Sequence, residues 1–167
     1  ISTAMPPEAM PGGFTFNQFL IVDDEPLLYH TGLRRIFFDV KAAIERVLPV
    51  AKLRHVAFSH YEADECGTLN AFLGVAKKAV PLCSEIAKMV SVDDTSDRPA
   101  GALQDGEQLS LGRRRVRWTS TPHLPHAWEC GHLFESTTRT SRGSLRSGGR
   151  SAGASSFIFR PLRRASK

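Results

Sequence analysis

Hydrophobic residues fall into short runs along the chain, and their period changes from run to run. "FNQFLI" and "PLLYHTG" flank Asp23-Asp24-Glu25-Pro26, a turn composition, and predict two strands. In "FFDVKAAIERVLP", Phe38, Val40, Ala43, Ile44 and Val47 recur at roughly helical spacing, and Pro49 closes the pattern. "LRHVAFSH", residues 53–60, predicts a short buried strand ending at His60. "DECGTLNAFLGVAKKA" predicts one helix, opened by acids that suit the positive end of its dipole. "VPLCS" predicts another strand, and "SEIAKMVS" a helix capped by Ser84. The polar stretch "VDDTSDRPAGALQDGEQ" reads as a loop. Leu109, Leu111, Val116 and Trp118 predict a hairpin turning near Gly112, with "HLFES" and "TRT" as the next strands. There is no internal repeat. This alternation argues for an α/β layered domain rather than a bundle or an all-β barrel.

A chain of 167 residues with 41% apolar content suits one domain with a real core. No run approaches the roughly 18 apolar residues of a membrane helix, so no membrane partner is expected. The chain opens on Ile1, as a fragment would, without a basic-then-apolar leader. Three cysteines, Cys66, Cys83 and Cys130, form no CxxC pair. An odd, sparse set points to a reducing, cytoplasmic setting.

The net charge of +5 is unevenly placed. Residues 141–167 carry six Arg and one Lys without an acid, a local charge of +7. Residues 1–140 hold 15 basic and 17 acidic residues, a net −2. The Ser/Gly/Arg-rich tail has neither helical nor strand periodicity and reads as disordered. Basic tails can contact phosphates, but no aromatic interleaving or groove-reading motif accompanies this one, which argues against a nucleic-acid partner. The expected organisation is a domain over 1–140 and a tail over 141–167.

The chemistry concentrates in "SHYEADECG", residues 59–67, where His60, Glu62, Asp64 and Glu65 crowd into six positions at a strand end. Like charges this close repel unless a cation joins them: a metal, Arg or Lys partners, or else open water relieves the cost. The spacing His60-x-Glu62-x-Asp64 lets an extended loop aim three donors at one point. Imidazole nitrogen with hard carboxylate oxygen suits iron, manganese or zinc. A second segment, "TPHLPHAWE", adds His123 and His126 after another predicted strand.

"HYEAD" resembles the His-x-[His/Glu]-x-Asp motif of the metallo-β-lactamase fold, in the Glu-containing form typical of flavodiiron proteins and oxygen-binding di-iron domains. The resemblance spans about residues 14–140 and includes "FNQFLI…LLYHTG", "FSHYEADECGTLN" and "TPHLPHAWECGHLFE". It implies an αββα sandwich with a di-iron centre at one edge of the sheets that reacts with or senses oxygen or nitric oxide. It further implies that His60, Glu62 and His126 hold one metal and that Asp64 reaches toward a second. Three departures stand out: Glu65 occupies a position that is often His, no Asp follows Thr140, and no His follows His132. The sandwich is therefore expected to be incomplete in its second half, and the abrupt change near Thr140 is what a frameshift or misassembled gene gives.

Other residues carry plainer readings. Glu65 reads first as a charge at the helix dipole and second as a ligand. His123 reads as a structural neighbour before a ligand, His55 and His132 as strand-face residues, and His30 as a surface residue. Cys66 and Cys130 read as packing residues, Trp128 as a wall of the site, and Arg113–Arg117 as a hairpin edge kept soluble by charge. Three functions remain: a di-iron oxygen- or nitric-oxide-reactive oxidoreductase domain fed by an electron-donor protein or flavin domain, a zinc-dependent metallo-hydrolase, and a truncated non-catalytic form. A homo-oligomer is compatible with each. If the tail is separate from the domain, limited trypsin digestion will cut after the tail arginines first and leave a body of about residues 1–140. Equal protection of tail and body on a time course would contradict that division.

Overall fold

The computed structural model describes residues 1–5, 8, 12–124 and 127–136. His126, the predicted strand "TRT" and the whole 141–167 tail lie outside the described residues. Strand β1 (Ser2–Met5) pairs antiparallel with β2 (Phe14–Asn17) in a two-stranded sheet. A five-stranded sheet then forms in the order β3 (Phe19–Ile21), β4 (Leu27–Tyr29), β5 (His55–Ala57), β6 (Val80–Ser84), β7 (Gly101–Leu103). β3 runs antiparallel to β4, and the pairs from β4 to β7 are parallel. Parallel neighbours need crossover connections. These are α1 (Phe37–Glu45), then α2 (Ala63–Cys66) with α3 (Leu69–Val75), then α4 (Glu85–Ala87), a π turn over Lys88–Val92, and α5 (Asp93–Thr95). A second, antiparallel sheet has the order β10 (Gly131–Ser136), β9 (Arg115–Ser120), β8 (Gln108–Ser110).

Alternation along the central strands divides the core. Leu28, Val56 and Cys83 join Val40, Ile44, Phe72 and Leu73 under the helices. Leu27, Tyr29, Ala57 and Leu82 face the other way and meet Leu111, Val116 and Trp118 of the second sheet. The central strands are buried on both faces, as parallel strands between layers are. Among the described residues the layers are thus helix, sheet and sheet, three of the four in the implied αββα sandwich. No helix among them is long and apolar enough to cross a membrane.

Several local expectations change. The predicted single helix over 64–79 is two helices, because Thr68 turns out of line to bond Thr31: its Oγ1 donates to the Thr31 carbonyl at 2.9 Å. The predicted loop after Val92 contains β7, a three-residue strand that exists through pairing with Leu82–Ser84. Phe38 and Val47, placed on the buried face of α1 by periodicity, are 77% and 61% exposed, while Val40 and Ile44 are buried. Ser84 does cap its helix, its Oγ accepting from Ala87 N at 3.1 Å.

Arg98 fastens the α3–β6 connection. Its Nη1 donates to the carbonyls of Ala76, Lys77 and Ala79 at 3.3, 2.9 and 2.7 Å, and its Nη2 to Leu73 at 2.9 Å. The cation therefore sits at the negative end of α3 and satisfies carbonyls the helix leaves unpaired. Arg98→Ala is expected to cost roughly 2–3 kcal/mol in urea unfolding at an unchanged m value. At Gly131 an added Cβ would lie 2.0 Å from Trp118 Cζ2. Gly131→Ala is expected to destabilise by at least about 1–3 kcal/mol and to shift tryptophan emission as the ring is displaced.

Candidate metal centre

The β4–β5 register sets Tyr29 beside Ala57, so two loops leave the same edge of the sheet together. His30 follows β4 with φ of +65°, a left-handed conformation uncommon for a residue with a Cβ. Its amide donates to the Ala57 carbonyl at 2.8 Å, which holds the chain in this turn. From β5 the chain continues through buried Phe58 and Ser59 to His60, which is 5% exposed.

Ser59 Oγ and His60 Nδ1 are 2.8 Å apart, so the imidazole is held on that side and presents Nε2 to Glu62. Nε2 and Glu62 Oε2 are separated by 3.2 Å. Glu62 stands at the N-cap of α2 in extended conformation, its side chain 42% exposed. The exposed side faces a groove of about 650 Å³ lined in part by Leu33, Phe37, Phe38, Tyr61 and Leu69. Asp64 is half-buried in the first turn of α2.

Glu65 takes a different direction. Its Oε2 pairs with His30 Nδ1, with side chains only 19% and 13% exposed. Its carbonyl accepts from Thr31 N at 2.7 Å. His30 is therefore an inward partner of the metal loop, and the surface reading does not hold. Glu65 lies in the first turn of α2 as expected, and among the described residues its Oε2 lies against His30 Nδ1 while buried without a hydrogen-bond partner.

The second sheet closes the site from the other side. Gly131 N donates to the Ser59 carbonyl at 2.9 Å, and Tyr29 Oη donates to the Gly131 carbonyl at 3.3 Å. Glu129, 8% exposed, accepts from Tyr61 N at 3.3 Å, and its carbonyl accepts from Ser84 Oγ at 2.8 Å. Sequence reading passed over Glu129; its place directly after "PHAW" was the available signal. Burial, then the nearby His30 and His60 imidazoles, lower the pKa of His132, with Glu65 opposing. His132 thus shares the site's electrostatics from β10, with its Nδ1 3.0 Å from Thr121 Oγ1. Burial also raises the Tyr29 hydroxyl pKa, with the Glu65 charge adding to it.

The remaining predicted residues stand apart. His123 is exposed, with φ of +65°. Trp128 is 53% exposed and is not a buried wall. Cys66, Cys83 and Cys130 are free and buried, and burial pushes the Cys66 and Cys83 thiols up to about 12.

The donor set can be tested against a metal. Two ligand atoms each about 2.1 Å from one ion lie roughly 3–3.4 Å apart. The 3.2 Å separation of His60 Nε2 and Glu62 Oε2 matches that spacing, and the Ser59 contact fixes the ring as metal-binding imidazoles require. Among the described residues no third His, Cys, Asp or Glu joins them as a metal-binding group. Among the described residues His60 and Glu62 therefore supply two donors at ligand spacing, short of a complete site.

The chain is similar to several known proteins. Residues 14–144 match the family model described as ODP family beta lactamase. Rubredoxin-oxygen oxidoreductase of Megalodesulfovibrio gigas is 28% identical over 116 residues, covering 68% of this chain and 29% of that protein. A solved structure of rubredoxin oxygen:oxidoreductase from Desulfovibrio gigas superposes with a TM-score of 0.67 at 25% identity, over 72% of this chain and 30% of that one. Nitric oxide reductase of Moorella thermoacetica is 26% identical over 114 residues, 67% of this chain and 29% of that protein. The MIM-2 metallo-β-lactamase, at 22% identity and a TM-score of 0.61 over 70% of this chain and 48% of that one, shares the fold. The chain spans 29% of the length of these two curated relatives. It belongs to the ODP family of β-lactamase-like proteins, as a metallo-β-lactamase-fold domain of the flavodiiron type.

Proposed function

We propose that this domain binds non-haem iron through His60, Glu62 and His126, with Asp64 alongside, and serves oxygen or nitric oxide chemistry. The observation that carries the reading is the convergence of His60 Nε2 and Glu62 Oε2 at the C-terminal end of β5, with the imidazole held by Ser59. The two relatives' names, one for oxygen and one for nitric oxide, supply the substrate class. Iron bound there would supply redox chemistry toward a diatomic gas.

The chain's own residues would do the rest. Ser59 fixes the imidazole, and Glu62 supplies negative charge on the groove side, from which small molecules can enter. Glu129 holds the Tyr61 amide and so the extended path of the loop between His60 and Glu62. Electrons would come from outside the domain, through a flavin domain or a small electron-donor protein such as the rubredoxin named with the first relative. Three buried free thiols suit a reducing, cytoplasmic compartment.

Single alanine variants of His60, Glu62 and His126, reconstituted anaerobically with ferrous iron, are expected to lose affinity by roughly tenfold or more. His123→Ala and His132→Ala should retain iron. Elemental analysis after desalting reads the result. Full retention in His60→Ala with loss in His132→Ala would overturn the assignment. A protein that instead takes zinc, stays colourless and cleaves an ester would favour the metallo-hydrolase reading.

A further inference from the structure

We infer that the groove beside Glu62 is a binding site for a small apolar monocarboxylate, with Arg34 taking the charge and Phe37, Phe38 and Leu69 the body. The site adjoins the proposed metal position but does not depend on it.

The groove encloses about 650 Å³, the size of a small-molecule site. Its apolar lining comes from Leu33, Phe37 and Phe38 at the start of α1 and from Leu69 at the start of α3. Phe37 is anchored to the core. Its ring meets that of fully buried Phe72 edge-on, with centroids 5.0 Å apart and planes at 71°. Phe38 stands against Phe37 at 5.2 Å and 64°, and the fold leaves it largely uncovered. Two rings set at an angle, one rigid and one open to solvent, offer a flat apolar group both a face and an edge. Covering Phe38 removes apolar surface from water, which favours an apolar guest.

The polar groups on the same lining are already used. Tyr61 Oη donates to Thr95 Oγ1 at 2.8 Å, and Thr95 Oγ1 donates to the Ser91 carbonyl at 2.8 Å. Asn70 Nδ2 donates to the Thr95 carbonyl at 2.8 Å, while its Oδ1 accepts from Asp97 N at 2.9 Å. These bonds tie the groove wall together and leave few groups to read the hydroxyls of a sugar-like ligand. Arg34 differs. It lines the groove, is exposed, and pairs with no acid among the described residues. A guanidinium receives a carboxylate through two parallel hydrogen bonds. Glu62, on the same lining, repels a second negative charge. The ligand that satisfies this set carries one carboxylate on an apolar body.

Calorimetric titration of the full chain with 1-naphthoate, and with neutral 1-naphthalenemethanol of similar shape, tests the site. Naphthoate is expected to bind once per chain and about tenfold tighter than the alcohol, the worth of a hydrogen bond to a charged group. Arg34→Gln should remove that roughly tenfold advantage and leave the alcohol unchanged. Phe38→Ser should weaken both, and Arg46→Gln, an exposed arginine outside the groove, should change neither. Each of these positions is exposed, so the variants should fold, which circular dichroism melting checks. Equal naphthoate affinity in the parent and Arg34→Gln would overturn the inference, as would no binding in the parent or an equal loss in Arg46→Gln. Naphthoate affinity that survives Arg34→Gln but is lost in His60→Ala would also overturn it, placing the carboxylate at the metal instead.

Discussion

Polar backbone groups at the C-terminal edge of the parallel sheet cannot be left buried and unpaired, and the site is a consequence of how they are satisfied. Beyond Tyr29 and Ala57 the ladder stops, and loops must supply the partners. His30 N returns to Ala57, Thr31 N crosses to Glu65, and Gly131 N reaches Ser59. Ser84 Oγ and the Tyr61 amide both settle on Glu129. Each such bond contributes only about 1 kcal/mol net, but leaving its groups buried and unpaired would cost more. The same ties fix three loops, from distant parts of the chain, within contact of one another.

Burial then sorts the carboxylates. Glu62 and Glu65 lie three residues apart, one at the N-cap of α2 and one in its first turn. Glu62 opens toward the groove, stays partly hydrated and meets the Nε2 of His60. Glu65 is mostly buried, lies against His30 Nδ1, and its charge reaches the His132 and Tyr29 groups. One motif therefore yields two kinds of carboxylate, one at the groove and one largely buried.

The second sheet contributes position more than donors. Trp118 and Val116 pack against Leu27, Tyr29 and Leu82, and that contact sets the height at which β10 begins. Gly131 is obligatory there, since its lack of a side chain admits the Trp118 ring and lets its amide reach Ser59. His132 follows immediately and is carried to the site by that approach.

Much of this was legible in the residues. The strands at Leu27–Tyr29, His55–Ala57, Val80–Ser84 and Gly131–Ser136, helix α1, the Ser84 cap and the hairpin at Gly112 are local patterns, set by period and turn chemistry, and each is found where its pattern lies. The sandwich fold followed from motif resemblance. The His30–Glu65 pair, Glu129 at the Tyr61 amide, the break at Thr68 and strand β7 were not legible. Thr31 and Glu65 are 34 positions apart, and Tyr61 and Glu129 are 68. Local sequence determined which side chains could bind a metal. Only the packing of two sheets and a helical layer decided which of them face each other, because burial assigns partners by spatial proximity and not by order along the chain.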